Sequence, residues 1–288
     1  MNAIEFSLLI IILAFLCEYM DSSLGMGYGT TLTPILLIMG YNPLQIVPAI
    51  LLSELITGLS AGFFHHQFKN TNFKVGSKDL KIALVMAGCS IFGTLAAVYV
   101  ALNIPTSYVK LYIGVLVLSM GLLILLTLNR IFKFTWKKIV SIGLLAAFNK
   151  GVSGGGYGPV VTSGQILSGV KSKKAIGITS LAEGLTCLVG VITYLIFTNH
   201  SIEWTLAPSL ILGAILSVPL AAYTVKKNQS KLLKIDCWNI YSNTWFSNTR
   251  QNSPLKPHPA SRLIFNVLSP IIFSNEYKRL HFLTNSAY

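Results

Sequence analysis

Residues 25–34 read GMGYGTTLTP, and residues 154–159, which lie 129 positions later, read GGGYGP. Both stretches belong to a longer match without gaps, in which residues 21–57 shifted by 129 positions give nine identities. The identical pairs are Gly25 and Gly154, Gly27 and Gly156, Tyr28 and Tyr157, Gly29 and Gly158, Thr33 and Thr162, Gly40 and Gly169, Leu52 and Leu181, Glu54 and Glu183, and Thr57 and Thr186. Most of these residues are Gly, Thr or Glu rather than the abundant Leu, so we interpret the chain as two related halves.

The composition predicts a protein that lies mostly inside a membrane. Of the 288 residues, 53% are hydrophobic and 11% are charged, whereas soluble domains carry roughly 25% charged residues. Several apolar runs approach or exceed the ~20 residues that cross a hydrocarbon core. Backbone groups inside lipid must be hydrogen-bonded within their own segment, which predicts helices. The runs cover residues 4–16, 82–102, 112–128, 185–197 and 206–225.

The net charge of +13 could indicate nucleic-acid binding, but its distribution argues against that function. Residues 1–68 contain no Lys or Arg, and the basic residues further along gather in short loops between apolar runs. These loops lack the interleaved aromatic residues of single-strand-binding proteins. Cytoplasmic loops of membrane proteins accumulate Lys and Arg for reasons of insertion alone. We therefore expect no nucleic-acid partner.

The basic loops also predict the membrane topology. Four loops are basic, within residues 69–81, 130–138, 171–174 and 226–234, and we expect all four to be cytoplasmic. Residues 139–167 connect two of them, so they must enter and leave on the same side, as a hairpin of two short helices that meet at the second glycine stretch. Loops 41–43 and 198–203 have no Lys or Arg and are expected outside, so residues 4–40 must start and end there.

This reasoning predicts the fold class. We expect an all-α polytopic membrane protein with two inverted repeats, each a Gly-broken helical hairpin followed by transmembrane helices. Repeat 1 covers residues 1–128, and repeat 2 covers residues 129–228 and is incomplete because a final helix is missing. Residues 229–288 are expected to be a polar tail, either frameshifted or disordered.

The glycine stretches predict a binding site for an anion. Non-helical backbone at membrane depth survives only when it is buried in protein or lines a watery cavity. The helix that begins after each break directs its N-terminal N–H groups and positive dipole end toward the gap. The alternative is that the glycines only permit close helix packing. The predicted substrate-binding residues are Gly25, Gly27, Tyr28, Gly29, Thr30, Thr31, Lys150, Gly154, Gly155, Gly156, Tyr157 and Gly158.

Three charged residues accompany this predicted site. Glu54 and Glu183 occupy matched positions inside apolar spans, where ionisable groups usually serve ion or proton pathways. We therefore predict that they couple transport to a proton, although a structural hydrogen bond between helices is an equal alternative. Lys150 would add positive charge beside the anion, unless it snorkels to the membrane interface. His65 lies at the end of a span and is expected at that interface.

The segments that carry these residues, 21–54 and 150–183, resemble the sulfite exporter TauE/SafE family. The resemblance covers about residues 5–227. It implies a polytopic plasma-membrane permease, usually of eight predicted spans. It also implies substrates such as sulfite, sulfonates or other small organic anions, often moved outward. Members of the family differ in substrate, so the resemblance does not identify the anion.

The C-terminal residues depart from the repeat. Gly213 is the last of 23 glycines, and the residues from Gln229 onward are polar and interrupted by prolines. No apolar run of the required length remains, although the repeat demands a final span. Our hypothesis is that a frameshift in or near codons 226–236 replaced this span with unrelated sequence, which reading the DNA in the other two frames would test.

Together these observations predict a secondary transporter, an exporter, of a small anion in the plasma membrane of a prokaryote. Its expected partners are that anion, the lipid bilayer and a coupling proton or cation. Two alternatives stay open: an inactive or truncated permease homologue, and a membrane-embedded enzyme. The enzyme is disfavoured because no HExxH or paired Asp motif occurs. We expect no catalytic residue, no cofactor and no metal.

Overall fold

A computed structural model describes residues 3–127, 135–197 and 202–227. All the regular structure in these ranges is helical, which confirms the predicted all-α class. The helices are α1 (Ala3–Leu24), α2 (Tyr28–Ile38), α3 (Pro43–Gln67), α4 (Lys78–Asn103), α5 (Thr106–Thr127), α6 (Trp136–Ser153), α7 (Tyr157–Leu167), α8 (Ser172–Phe197) and α9 (Ala207–Lys227). The predicted polar tail and the frameshift hypothesis concern residues outside these ranges.

Within the described ranges, five helices are long and apolar enough to cross a membrane. They are α1, α3, α4, α8 and α9, and each contains an 18-residue window with few charged residues. Local sequence explains where some of them begin. Pro43 opens α3, a position where a missing N–H costs nothing, and the Ser77 hydroxyl accepts a hydrogen bond from the Leu80 N–H at the start of α4.

The predicted break at each glycine stretch is present. In each half three residues separate two successive helices, α1 from α2 and α6 from α7. The arms of the hairpins are unequal, because α1 has 22 residues and α6 has 18, whereas α2 and α7 have 11 each. At 1.5 Å per residue, α1 is about 33 Å long and could cross the hydrocarbon core. The prediction of two short helices therefore fits the second arms better than the first.

Helix boundaries follow the internal repeat. The helices α2, α3 and α4 begin at residues 28, 43 and 78, and α7, α8 and α9 begin at residues 157, 172 and 207. Each pair differs by 129, the offset found in the sequence. Hence α1 to α4 correspond to α6 to α9, and the opposite orientation of the two halves in the membrane stays a prediction.

The first helix of each half packs against a helix of the other half. Helix α1 packs along α9 of the other half, and its counterpart α6 packs along α4. The matched helices α3 and α8 lie against each other, and each also contacts α9 or α4. Gly58 and Gly184 allow α3 and α8 to cross closely, since a Cβ at Gly58 would lie 2.7 Å from the Gly184 Cα. The halves therefore share one core.

Contacts at the helix ends group the loops as their charges predict. Lys174, in the first turn of α8 and part of the third basic stretch, lies 3.0 Å from the Asp79 carboxylate at the start of α4. Gln45, after the first uncharged loop, donates a hydrogen bond to Glu203 in the second at 3.1 Å. Two basic loops thus meet at one place, and the two loops without Lys or Arg meet at another.

Candidate functional site

The two glycine breaks end the first helix of each hairpin in the same way. The Gly25 N–H donates to the Asp21 carbonyl at 2.6 Å, and the Gly154 N–H donates to the Lys150 carbonyl at 2.8 Å. Gly25 and Gly154 have φ values of +76° and +70°, which other residues rarely adopt. A left-handed glycine is a common helix ending. The repeated glycines therefore fix two equivalent turns, one in each half.

The two breaks lie directly against each other. A Cβ atom added at Gly29 would overlap the carbonyl oxygen of Gly154, and one added at Gly158 would lie 2.6 Å from the carbonyl oxygen of Gly25. The space between the breaks thus has no room for the methyl group of an alanine. An anion at the predicted site requires the breaks to move apart.

Hydrogen bonds join the breaks across the halves. The Gly156 N–H, at the start of α7, donates to Thr30 Oγ1 at 2.9 Å. Thr162 Oγ1 donates to the Gly25 carbonyl at 2.6 Å, and its counterpart Thr33 donates to the Ser153 carbonyl at 3.0 Å. A donor that would serve an anion is therefore occupied by the other half. In this structure, contacts between the two halves fill the position of the predicted anion site.

The structure gathers most of the predicted binding residues at this crossing. Tyr28 and Tyr157 are fully buried on the first turns of α2 and α7, and Tyr28 shares a hydrogen bond of 2.8 Å with Ser53. Thr31 is half-buried on the same turn of α2 as Thr30. These positions stay a prediction as binding residues.

Lys150 connects the two matched glutamates. Its ammonium group forms an ion pair with Glu54 of α3 and lies 2.8 Å from Glu183 Oε1 of α8. The exposures of Lys150, Glu54 and Glu183 are 1%, 3% and 4%, so the triad is buried. Lys150 is also in the last turn of α6, where the helix dipole favours a positive charge. Its charge is therefore balanced within the protein, and it does not snorkel to the interface.

Two carboxyl groups of α1 complete the cluster, and neither was among the predicted site residues. The first is Glu18, whose carboxyl group accepts hydrogen bonds from the Ser22 hydroxyl at 2.6 Å and the Thr57 hydroxyl at 3.2 Å. Asp21 occupies the position that matches Lys150 and accepts a hydrogen bond from the Tyr28 N–H at 3.3 Å. The signal for Glu18 was available, because Glu18 and Asp21 are three residues apart in an apolar helix and share a face.

A small cavity lies among these carboxyl groups. Its volume is about 10 Å³, which is close to the minimum of ~10–15 Å³ that one water molecule needs. It is lined by Glu18, Asp21, Glu54, Thr57, Gly58, Ser180 and Glu183. Four carboxyl groups therefore face it, and Lys150 is the base paired with two of them. The described residues include no group of three or more His, Cys, Asp or Glu that could hold a metal ion.

His65 lies inside the protein and not at the interface, so that expectation was wrong. It is 0% exposed; its Nε2 lies 3.0 Å from the Ser22 carbonyl, and its Nδ1 lies 2.9 Å from the Asn70 amide nitrogen. The matched residue is Tyr194, whose hydroxyl donates to the Gly151 carbonyl at 2.8 Å. Residues 22 and 151 also match in the repeat. In each half, a side chain of the helix that carries the glutamate thus contacts the helix that ends at the break. These pairs are α3 with α1 and α8 with α6.

Comparison with known proteins agrees with this architecture. A family profile described as "Sulfite exporter TauE/SafE" matches residues 10–235. A relative from Bacillus subtilis (strain 168), named "Probable membrane transporter protein YtnM", is 29% identical over 241 residues, which covers 78% of this chain and 78% of the relative. No solved structure gives a significant match.

Proposed function

Since the chain belongs to the sulfite exporter TauE/SafE family and is a membrane transporter, we propose that it exports a small anion across the plasma membrane of a prokaryotic cell. The substrate class is sulfite, a sulfonate or another small organic anion. The family and the relative are both named for transport, which supports a function without catalysis at this site.

The observation that carries this proposal is the crossing of the two glycine breaks. Each break places the N-terminal N–H groups of a helix, α2 or α7, next to the other half. Such N–H groups, together with the helix dipole, bind anions in many proteins. When the breaks separate, the Gly156 N–H loses its partner Thr30, and both become available to an anion. These groups would bind the anion in the open state and the other half in the closed state. Anion binding would therefore be coupled to the conformational change.

The repeated architecture supports an alternating-access mechanism. Inverted repeats place a substrate site at their interface, near the middle of the bilayer, and rocking of one half against the other exposes it to each side in turn. The reciprocal packing of α1 on α9 and of α6 on α4 fits two such halves. The grouping of the loops by charge fits halves of opposite orientation.

The buried triad supports coupling at Glu54 and Glu183. Each glutamate belongs to one half, and Lys150 contacts both. A movement of the halves that separates α3 from α8 must therefore break at least one of these ion pairs. A carboxylate that loses Lys150 inside the membrane needs another cation, and a proton from the water that enters would supply it.

Binding can be measured before transport. A ligand that binds the folded state stabilises it, by about 2.7 kcal/mol when the ligand is present at 100 times its Kd. We expect one class among sulfite, sulfate, simple sulfonates and carboxylates to raise the melting temperature of the purified protein in a saturable way. A Gly156→Ala variant should lose this response, since Gly156 has a φ of +77° that alanine rarely adopts. Equal and non-saturable effects of all anions would contradict the proposal.

A further inference from the structure

The four carboxyl groups around the cavity differ in what balances their negative charge. Glu54 and Glu183 share the ammonium group of Lys150. Asp21 accepts a hydrogen bond from the Tyr28 N–H at the first turn of α2, where the helix dipole stabilises an anion. Glu18 has neither a basic partner nor a helix N-terminus among its contacts, and it is 2% exposed. It is therefore the carboxyl group in the cluster with no positive neighbour.

The partners of Glu18 differ chemically from Lys150 and from the Tyr28 N–H. A lysine ammonium or a backbone N–H can only donate hydrogen bonds, so it cannot accept one from a protonated carboxyl group. The Cys187 thiol, whose Sγ lies 3.8 Å from Glu54 Oε2, is only a weak acceptor. Ser22 and Thr57 contact Glu18 through hydroxyl groups, which can donate to an ionised carboxylate or accept from a protonated one. The surroundings of Glu18 can therefore satisfy both of its protonation states.

The cavity gives an independent reason to expect a bound cation. Glu54 Oε1 and Glu183 Oε2 are buried and have no hydrogen-bond partner among the described residues, and both side chains line the cavity. Four ionised carboxylates with one ammonium group would leave three uncompensated negative charges. Burial of unpaired charge is costly, and carboxyl groups commonly avoid it by taking up protons. The cavity of about 10 Å³ has no room for a hydrated cation, whereas a carboxyl group takes up a proton without added space.

From this arrangement we propose that Glu18 is the proton-binding residue of the transporter and carries a proton at neutral pH in the closed conformation. The inference rests on the proposed coupling role of Glu54 and Glu183 and adds the place where the proton resides. The proton comes from water when the cavity opens to one side, forms an O–H bond on Glu18, and returns to water when the cavity opens to the other side. In the closed conformation Glu54 and Glu183 hold Lys150.

Titratable groups of every helix packed around the cavity bear on this proposal. They include Cys17 and Asp21 on α1, Tyr28 on α2, Glu54 and His65 on α3, Lys150 on α6, and Glu183 and Cys187 on α8. Helix α9 also packs on α1, and its titratable side chains, Tyr223, Lys226 and Lys227, are exposed. None of these groups supplies Glu18 with a cation in direct contact.

Infrared spectroscopy of the full chain in lipid at neutral pH tests the assignment without any need for transport. A protonated carboxyl group absorbs apart from ionised carboxylates, and we expect a buried band that Glu18→Gln removes. The matched control Glu203→Gln, in the loop before α9, should leave the band intact. A Thr57→Val variant, which removes one hydroxyl partner and keeps the shape, should shift the band without removing it.

Other outcomes would overturn the proposal. A band that survives Glu18→Gln but disappears in Glu54→Gln or Glu183→Gln would place the proton on the triad, and the absence of a buried band in the native chain would mean that Glu18 is ionised. If the band behaves as expected and no anion binds or moves, the proton site stands and the proposed transport function fails. The two inferences are thus separable.

Discussion

Replacing Lys150 with methionine should destabilise the protein strongly, and the size of the loss follows from the triad. Lys150 is 1% exposed and contacts carboxylates of both halves. Removal of one partner from a buried ion pair typically costs about 3–5 kcal/mol, because the charge left behind is uncompensated. We expect a loss in that range for Lys150→Met at neutral pH. The loss should shrink as the pH falls, since protonation removes the charge left on Glu54 and Glu183.

The same substitution should have the opposite sign when the glutamates are neutral. In a chain that already carries Glu54→Gln and Glu183→Gln, Lys150 is itself the uncompensated charge. Lys150→Met then removes it, and replacement of a whole buried ionic group by uncharged residues is often neutral or stabilising by about 1–4 kcal/mol. Equilibrium unfolding in mixed micelles measures both backgrounds. If Lys150→Met costs the same in both, within about 0.5 kcal/mol, the three residues are not coupled and the reasoning is refuted.

Three further predictions address the crossing, the coupling and a helix start. Gly29→Ala should keep the two breaks apart and lower the melting temperature. Gly88→Ala, at a helix position with open space around it, should instead raise stability by up to about 1 kcal/mol. A similar effect of both substitutions would refute the close contact between Gly29 and Gly154. Glu183→Gln should abolish the response of anion flux to a pH gradient across proteoliposomes, and an unchanged response would remove its coupling role. Ser77→Ala should cost about 1 kcal/mol in unfolding free energy through loss of the cap of α4, and Ser77→Thr should restore most of it.

The sequence predicts the helices and the breaks because both depend on local rules. Apolar runs inside lipid have to be helical, and the glycines of the two breaks interrupt them at matched positions. The starts of α7, α8 and α9 also follow from those of α2, α3 and α4, because each pair of starts differs by the same 129 residues as the repeat. The unequal lengths of the hairpin arms follow less directly, because α1 continues through Glu18 and Asp21 beyond the apolar run 4–16.

The contacts inside the site are less accessible to sequence reasoning. The repeat singled out Glu54 of α3 and Glu183 of α8. It could not indicate that Lys150, on α6, would contact both of them. Glu18 has no counterpart among the identical pairs, since residue 147 is alanine, and a search for matched residues therefore passes over it. His65 was misplaced for a related reason. Its position near the end of α3 suggests an interface, and only the fold shows that α1 and the loop after α3 enclose it.

The closed crossing of the breaks also could not be derived from the glycines alone. Glycine permits both close packing and an open backbone site, and the choice depends on how the halves dock. In this conformation the two breaks pack against each other, because Gly29 and Gly158 contact carbonyl groups of the opposite break. Binding of an anion is the second use that we propose for the same residues, after the halves move.

Anion flux through the reconstituted full chain tests the central claim most directly. Proteoliposomes are loaded in turn with sulfite, sulfate, a simple sulfonate or a carboxylate, with and without a pH gradient, next to protein-free vesicles and the Gly88→Ala chain as a folded control. We predict saturable efflux of one class of anion, equal in the native and Gly88→Ala proteins and accelerated by the gradient. Efflux of every anion at the protein-free rate, from protein that is folded in the vesicles, would contradict the account.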